Sequence, residues 1–259
     1  MIKALFFDID GTLVSFKTHC IPSTTIDALT AAKHNGIDIY ISTGRPYTLI
    51  NNIDDIKHLI DGYITANGAY CFSGDEIISC HTIPADDVRK LLAKSSEMNF
   101  STVIVGINNL SMYNPTPEAT DLFRNLLNIY HLKQPDVDAI TDNHILQLTP
   151  FISEEQERLI LPHLRGVTAS RWYPAFTDMT AIGVDKAQGL REIATWKGYD
   201  ISQTMAFGDG GNDISIIKSA GIGVAMGNAG PDVKRVSDYV TTTVDENGIY
   251  NALKHFSLI

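Results

Sequence analysis

The feature that most constrains this chain is an apolar run that ends in acid. In Leu5-Phe6-Phe7-Asp8-Ile9-Asp10-Gly11-Thr12 three large apolar residues stand together without polar alternation. Such a run reads as a strand buried on both faces. Residues i and i+2 of a strand share a face, so Asp8 and Asp10 project together and Ile9 points away. Charge is costly to bury. Open α/β sheets bind ligands beyond the carboxyl ends of their strands, which is a place where both acids are tolerable. Gly11 allows a sharp exit, and Thr12 can hydrogen-bond the turn.

The following residues supply the rest of such a sheet. Ser23 is a suitable N-cap, Ile26, Leu29 and Lys33 keep helical spacing, and Gly36 ends the helix. Residues 37–43 form a second buried strand. Pro46 suits the first position of another helix, and residues 62–68 form a third strand. A hairpin is expected around Ser73-Gly74-Asp75. Strand, helix, strand in this order implies a parallel sheet with crossover helices.

After Pro84 the pattern changes. A helix follows, then strands at 101–107 and 110–113, a helix at 117–130, a strand at 144–150, an acidic helix start at Ser153, and two strand-like pieces before Ile182. From Asp185 the first pattern resumes: a helix from Lys186 to Lys197, a strand ending in Asp209, and three further helices with short strands between them. The reading is one α/β domain, residues 1–83 and 183–259, interrupted by an α+β insert over 84–182.

Composition excludes several functions. The 259 residues carry 20 Lys and Arg against 30 Asp and Glu, a formal net charge of −10. There is no basic stripe to bind nucleic acid, and no apolar run approaches a membrane span. Cys20, Cys71 and Cys80 lack metal-ligand spacing, and an odd count without a signal-peptide cleavage site fits a reducing cytoplasm. Cys71 and Cys80 are expected to be hairpin neighbours at most, with apolar packing as their role. A cytoplasmic monomer is the expectation.

Other strand ends carry chemistry as well. Ser42-Thr43-Gly44-Arg45 closes the second strand, where a hydroxyl beside helix N-terminal amides could cradle a phosphate. Gly208-Asp209-Gly210-Gly211-Asn212-Asp213 brings two further carboxylates to a helix start. An EF-hand loop is excluded because Gly211 occupies a ligand position. Lys186 opens the helix on the return to the core. So many carboxylates on one rim repel one another, and a hard cation such as Mg²⁺ resolves the conflict through oxygen ligands. The eight histidines are scattered and give no zinc cluster.

In order, Asp8-Ile9-Asp10-Gly11-Thr12, Thr43-Gly44-Arg45, Lys186 and Gly208-Asp209-Gly210-Gly211-Asn212-Asp213 resemble the four motifs of the haloacid dehalogenase superfamily. With a large insert between the second and third, the chain is similar to the Cof-type sugar phosphatases, and among them to bacterial hexose phosphate phosphatases. FFDIDGTLVSF, NGAYCF, RWYPAF and FGDGGNDISI carry the closer match. The resemblance implies a Rossmann-like α/β core with an inserted α+β cap that closes over the site. It implies Asp8 as nucleophile and Asp10 as acid and base. Asp8, Asp209 and the Asp10 backbone carbonyl would hold Mg²⁺. Thr43 and Lys186 would hold phosphate oxygens, with Asn212 and Asp213 in support. Gly44, Arg45 and Asn67 are further pocket candidates. In the insert, Arg171, Trp172, Tyr173 and Asp178 are candidate sugar contacts, although Trp and Tyr in a strand more often pack a core. The implied substrate is a small phosphomonoester, a sugar phosphate. Two alternatives stay open: a phosphomutase with the same motifs, and a non-catalytic phospho-acceptor module.

Overall fold

A computed structural model of the chain describes residues 1–107, 109–127 and 144–259. It folds into two compact units, Met1–Cys80 with Asp185–Ile259, and His81–Val184. The first stretch of chain supplies β1 (Ala4–Phe7), β2 (Asp38–Ser42), β3 (Gly62–Thr65), β4 (Tyr70–Ser73) and β5 (Glu76–Cys80). The insert supplies β6 (Thr102–Gly106), β7 (Leu110–Tyr113), β8 (Ile145–Pro150), β9 (Val167–Tyr173) and β10 (Phe176–Ala181). The returning chain adds β11 (Thr204–Gly208), β12 (Ile222–Ala225) and β13 (Tyr239–Val240).

The core sheet has the order β13-β12-β11-β1-β2-β3-β4-β5. It is parallel from β13 to β3 and ends in the antiparallel β3-β4-β5 meander. β1 is therefore central, between β2 and β11, with Phe7 beside Ile41 and Phe207. Both faces of β1 are covered, which explains the unbroken apolar run. Phe6 stacks on Tyr40 on one face and Phe7 on Phe207 on the other, at centroid distances of 4.9 and 4.6 Å. Leu5 and Phe7 pack with Ile39, Ile41 and Leu29, whereas Phe6 packs with Ile64, Leu190 and Ile193. Each fully buried phenylalanine contributes roughly 1.5–3 kcal/mol.

The helices differ from expectation at two starts. The first runs Ser23–His34, so Ser23 is its first residue and not its N-cap. Pro22, with φ −59°, occupies the cap position and makes the extended entry, and no side chain caps the amides. Gly36 then ends the helix at φ +76°. Pro46 precedes a single 3₁₀ turn, Tyr47–Leu49, and starts no α-helix. Tyr47 instead packs edge-on against Tyr63 and Phe72. The helix from Lys186 to Lys197 has the expected limits, capped by the Asp185 carboxylate on the Gln188 N–H and stopped by Gly198 at φ +71°. All three cysteines are free. Cys71 is buried, with its thiol pushed up to about 12 by burial, and pairs in register with Ser79. Cys80 is exposed, so apolar packing is not its role.

In the insert, an antiparallel sheet of order β7-β6-β8-β10-β9 carries the helices Ala85–Met98, Pro117–Leu127 and Glu154–Ile160. The helix expected over 117–130 is described to Leu127, and its last three positions lie outside the described residues. Ser153 and Gln156 form a capping box at the acidic helix start. Leu91, Phe100, Leu148 and Met179 centre this unit's own apolar core. No described helix is long and apolar enough to cross a membrane.

Candidate active site

The register that places Phe7 beside Phe207 brings the next residues of β1 and β11 to the same rim. Asp8 and Asp209 lie there, joined by Asp213 from the turn after β11. Oxygens of these three carboxylates fall within 4.8 Å of one another. Lys186 reaches into the group from the first turn of its helix and is fully buried. Its Nζ donates to Asp8 Oδ1 and Asp213 Oδ1, each at 2.6 Å. Asp213 is locked further, because its Oδ2 accepts the backbone N–H groups of Asp209 and Gly210 at 3.0 and 2.9 Å.

Two glycines are required by this assembly. Gly11 has φ +85°, and a Cβ there would lie 2.3 Å from Asp209 Oδ2. Gly68 has φ +99°, and a Cβ there would lie 2.1 Å from the carbonyl oxygen of Asp185. Its bare backbone lets the turn after β3 pack against the start of the Lys186 helix.

The electrostatics of the cluster are unbalanced. Burial and the neighbouring charge of Asp213 raise the Asp8 carboxyl well above the ordinary range, with Lys186 opposing. Burial and Asp213 likewise push Asp209 up to about 7, against the hydroxyl of Thr12 and the charge of Lys186. Burial alone would lower the Lys186 ammonium, yet the charges of Asp213 and Asp8 hold it above its usual value. Asp8 and Asp213 thus share one ammonium, with Asp209 close by. The donor set is all carboxylate oxygen, with Asp8 and Asp213 buried and Asp209 half-buried, which is the chemistry a hard divalent cation prefers.

Asp10 is less buried and takes a different partner. Arg45 grips it with two parallel bonds, Nε to Oδ2 and Nη2 to Oδ1, both 2.7 Å. Arg45 also donates to the Leu49 carbonyl. The guanidinium read as a pocket candidate is thus engaged by Asp10, in a bidentate geometry that suits Arg and carboxylate. Thr43 is buried, with its hydroxyl accepting the Arg45 N–H at 3.1 Å and its carbonyl accepting the Asn67 N–H. No α-helix N-terminus follows it, so the amides near Thr43 belong to a turn. Gly44, Asn67 and Asn212 come together: Asn212 Nδ2 donates to Asn67 Oδ1 at 3.0 Å, and a Cβ on Gly44 would touch both side chains. Asn67 adopts φ +54°, in the left-handed region that asparagine tolerates well.

In the insert, Asp178 on β10 is buried and accepts the Thr149 hydroxyl at 2.7 Å. Arg171 is not open to a sugar. Its guanidinium pairs with Glu157 and donates to the carbonyls of Ile152, Pro174 and Phe176, which pins the β9–β10 turn. Tyr173 stacks on Phe176, as packing aromatics do. Trp172 lies in β9, and its side chain is outside the described set.

One residue at the rim escaped the sequence reading. Asn228, after β12, donates through Nδ2 to the Gly11 carbonyl at 2.8 Å and to Asp209 Oδ2 at 3.2 Å. Its signal was the position of Gly227-Asn228 just beyond another parallel strand end. Thr12, read as a turn former, donates to Asp209 Oδ1 at 3.0 Å instead.

Residues 5–253 match the family of haloacid dehalogenase-like hydrolases. The chain belongs to that family. Among curated relatives it is 31% identical to the putative phosphatase YkrA of Bacillus subtilis strain 168, over 99% of this chain and 98% of that one. Among solved structures it is similar to the subclass IIB sugar phosphatase BT4131, at 47% identity and TM-score 0.95, covering 99% and 100% of the two chains. The phosphatase BT1666 from Bacteroides thetaiotaomicron follows at 39% identity and TM-score 0.92, covering 100% and 96%. This haloacid dehalogenase-like hydrolase is a phosphatase, with a small-molecule phosphoester as its substrate.

Proposed function

We propose that the chain is a Mg²⁺-dependent phosphomonoester hydrolase acting on sugar phosphates, hexose phosphates in particular, through an aspartyl-phosphate intermediate. One observation supports the reading: a largely buried, acid-rich cluster of Asp8, Asp209 and Asp213 with the buried ammonium of Lys186 bonded to Asp8 and Asp213. The sugar class is supported by the 47%-identical sugar phosphatase covering the full fold, and the hexose preference by the sequence resemblance alone.

In this scheme Asp8 and Asp209, with the Asp10 carbonyl, are the residues that would hold Mg²⁺. Asp213 supports them, since both its oxygens already serve Lys186 and backbone amides. The cation would supply positive charge against the repulsion between carboxylate and phosphate, about 4 kcal/mol for unit charges at 4 Å in an effective dielectric of 20. Lys186 gives a further positive charge fixed in advance, which costs no reorganisation at the moment of reaction. Asp8 Oδ attacks phosphorus as the bond from phosphorus to the sugar oxygen breaks. Asp10, aimed by Arg45, gives its proton to that oxygen. Asp10 then takes a proton from the water that cleaves the aspartyl phosphate, freeing phosphate and restoring Asp8. Thr43, Gly44, Asn67 and Asn212 form the phosphate pocket, and the insert, with Asp178, sets preference among sugars.

The test is a phosphate-release screen over many phosphomonoesters, each with Mg²⁺ and with chelator. Sugar phosphates should lead, with activity abolished by chelation and restored by Mg²⁺. Isomerised glucose 6-phosphate or mannose 6-phosphate without free phosphate would instead identify a mutase. Indifference to chelation would reject the metal.

A further inference from the structure

Resting on the metal assignment just given, we infer that Asn228 is a positioning residue for the divalent cation. Both oxygens of Asp209 are held by other side chains: Oδ1 takes the Thr12 hydroxyl at 3.0 Å and Oδ2 takes the Asn228 amide at 3.2 Å. A carboxylate held at both ends cannot rotate freely, so its remaining lone pairs keep one direction. The same amide nitrogen donates to the Gly11 carbonyl at 2.8 Å, in the turn that separates Asp8 and Asp10 from the next segment. The Asn228 oxygen accepts the Val244 N–H at 3.1 Å. Asn228 therefore links three segments, those of Gly11, Asp209 and Val244, and its amide meets the metal-facing carboxylate as a neutral donor. A neutral amide suits this task. It restrains Asp209 without cancelling the negative charge that a cation needs, as an arginine would.

Residues that orient a metal ligand typically set metal affinity by 10- to 100-fold. The experiment is Mn²⁺ titration of the full chain by isothermal calorimetry, with circular dichroism as the check on folding. Asn228→Ala should weaken Mn²⁺ binding about 10- to 100-fold while KM for an aryl phosphate at saturating metal changes less than about twofold. Ser15→Ala is the control. Ser15 makes another tie to the segment that holds Val244, through its hydroxyl to Asp245 Oδ1 at 2.6 Å. It should leave Mn²⁺ affinity unchanged. Thr12→Val, a buried near-isostere that frees the opposite oxygen, should weaken Mn²⁺ as Asn228→Ala does, and it stands in should the alanine variant fail to fold.

Wild-type affinity in both Asn228→Ala and Thr12→Val, or equal weakening in Ser15→Ala, would overturn the inference and leave the metal assignment intact. A wild-type chain that binds no Mn²⁺ would overturn both.

Discussion

Asp87 in the insert and Asp8 in the core are both buried acids, 4% and 7% exposed, yet their surroundings differ in kind. Asp87 is closed by the protein itself. Its oxygens accept the backbone N–H groups of Gly166 at 2.7 Å and Arg165 at 3.3 Å, with Lys90 nearby. Asp8 sits among Asp209 and Asp213 and shares one lysine with Asp213. The first arrangement balances its charge and holds a helix against a loop. The second leaves negative charge uncompensated where desolvation is costly. Burial of an acid does not mark a functional site by itself; a buried acid whose neighbours are also acids does.

That contrast can be broken at several points. Asp8→Asn should lower turnover of an aryl phosphate by at least about 10⁴-fold while the protein melts as a folded domain. Near-wild-type turnover would remove Asp8 as the nucleophile. Without metal, the core acids should make stability depend on pH. Asp209 titrates at about 7 when folded against about 3.8 ordinarily, so the folded state binds the extra proton. Its contribution is complete below the unfolded value and is lost as pH rises through 7. Between pH 5 and 8 the chelated protein should lose about 2–3 kcal/mol from this group, and Mg²⁺ should raise the melting temperature more at pH 8 than at pH 5. A chelated protein of constant stability over that range would mean the cluster is balanced after all.

Asp87→Ala strips an acceptor from two amides and should cost about 2–3 kcal/mol, read by chemical denaturation, with aryl phosphate turnover within about twofold of wild type. Lost turnover at unchanged stability would erase the distinction between the two acids. The smallest effect is expected from Asp178→Asn, a change of about 1 kcal/mol, roughly fivefold, in the kcat/KM ratio of two hexose phosphates. An unaltered ratio would end the case for Asp178.

Much of the rim was legible because its signals are local. The shared direction of Asp8 and Asp10 follows from strand periodicity, and the limits of the 186–197 helix follow from Asp185 and Gly198 at its ends. What was not legible depends on partners distant in sequence. A lysine at a helix start reads as solvated, and only the packing of that helix on the sheet buries Lys186 completely. Arg45 reads as a ligand contact, and only the neighbouring strands β1 and β2 reveal that Asp10 claims it. Ser23 lost the cap position to Pro22, whose fixed backbone made the entry without a side-chain bond. Asn228 carries only its place just past the end of β12 as a local signal, and its meaning lies in contacts with Gly11, Asp209 and Val244.

The central place of β1 has a consequence for how the chain is made. Ala4 pairs with Thr204, so β1 leaves the ribosome well before β11 and lacks that neighbour until the whole insert has been translated. At roughly 5–20 residues per second, its Ala-Leu-Phe-Phe edge stays open on the order of tens of seconds. During that interval the nascent chain presents an unpaired apolar strand, and a chaperone that shields it should raise the yield of folded enzyme more than one acting after release.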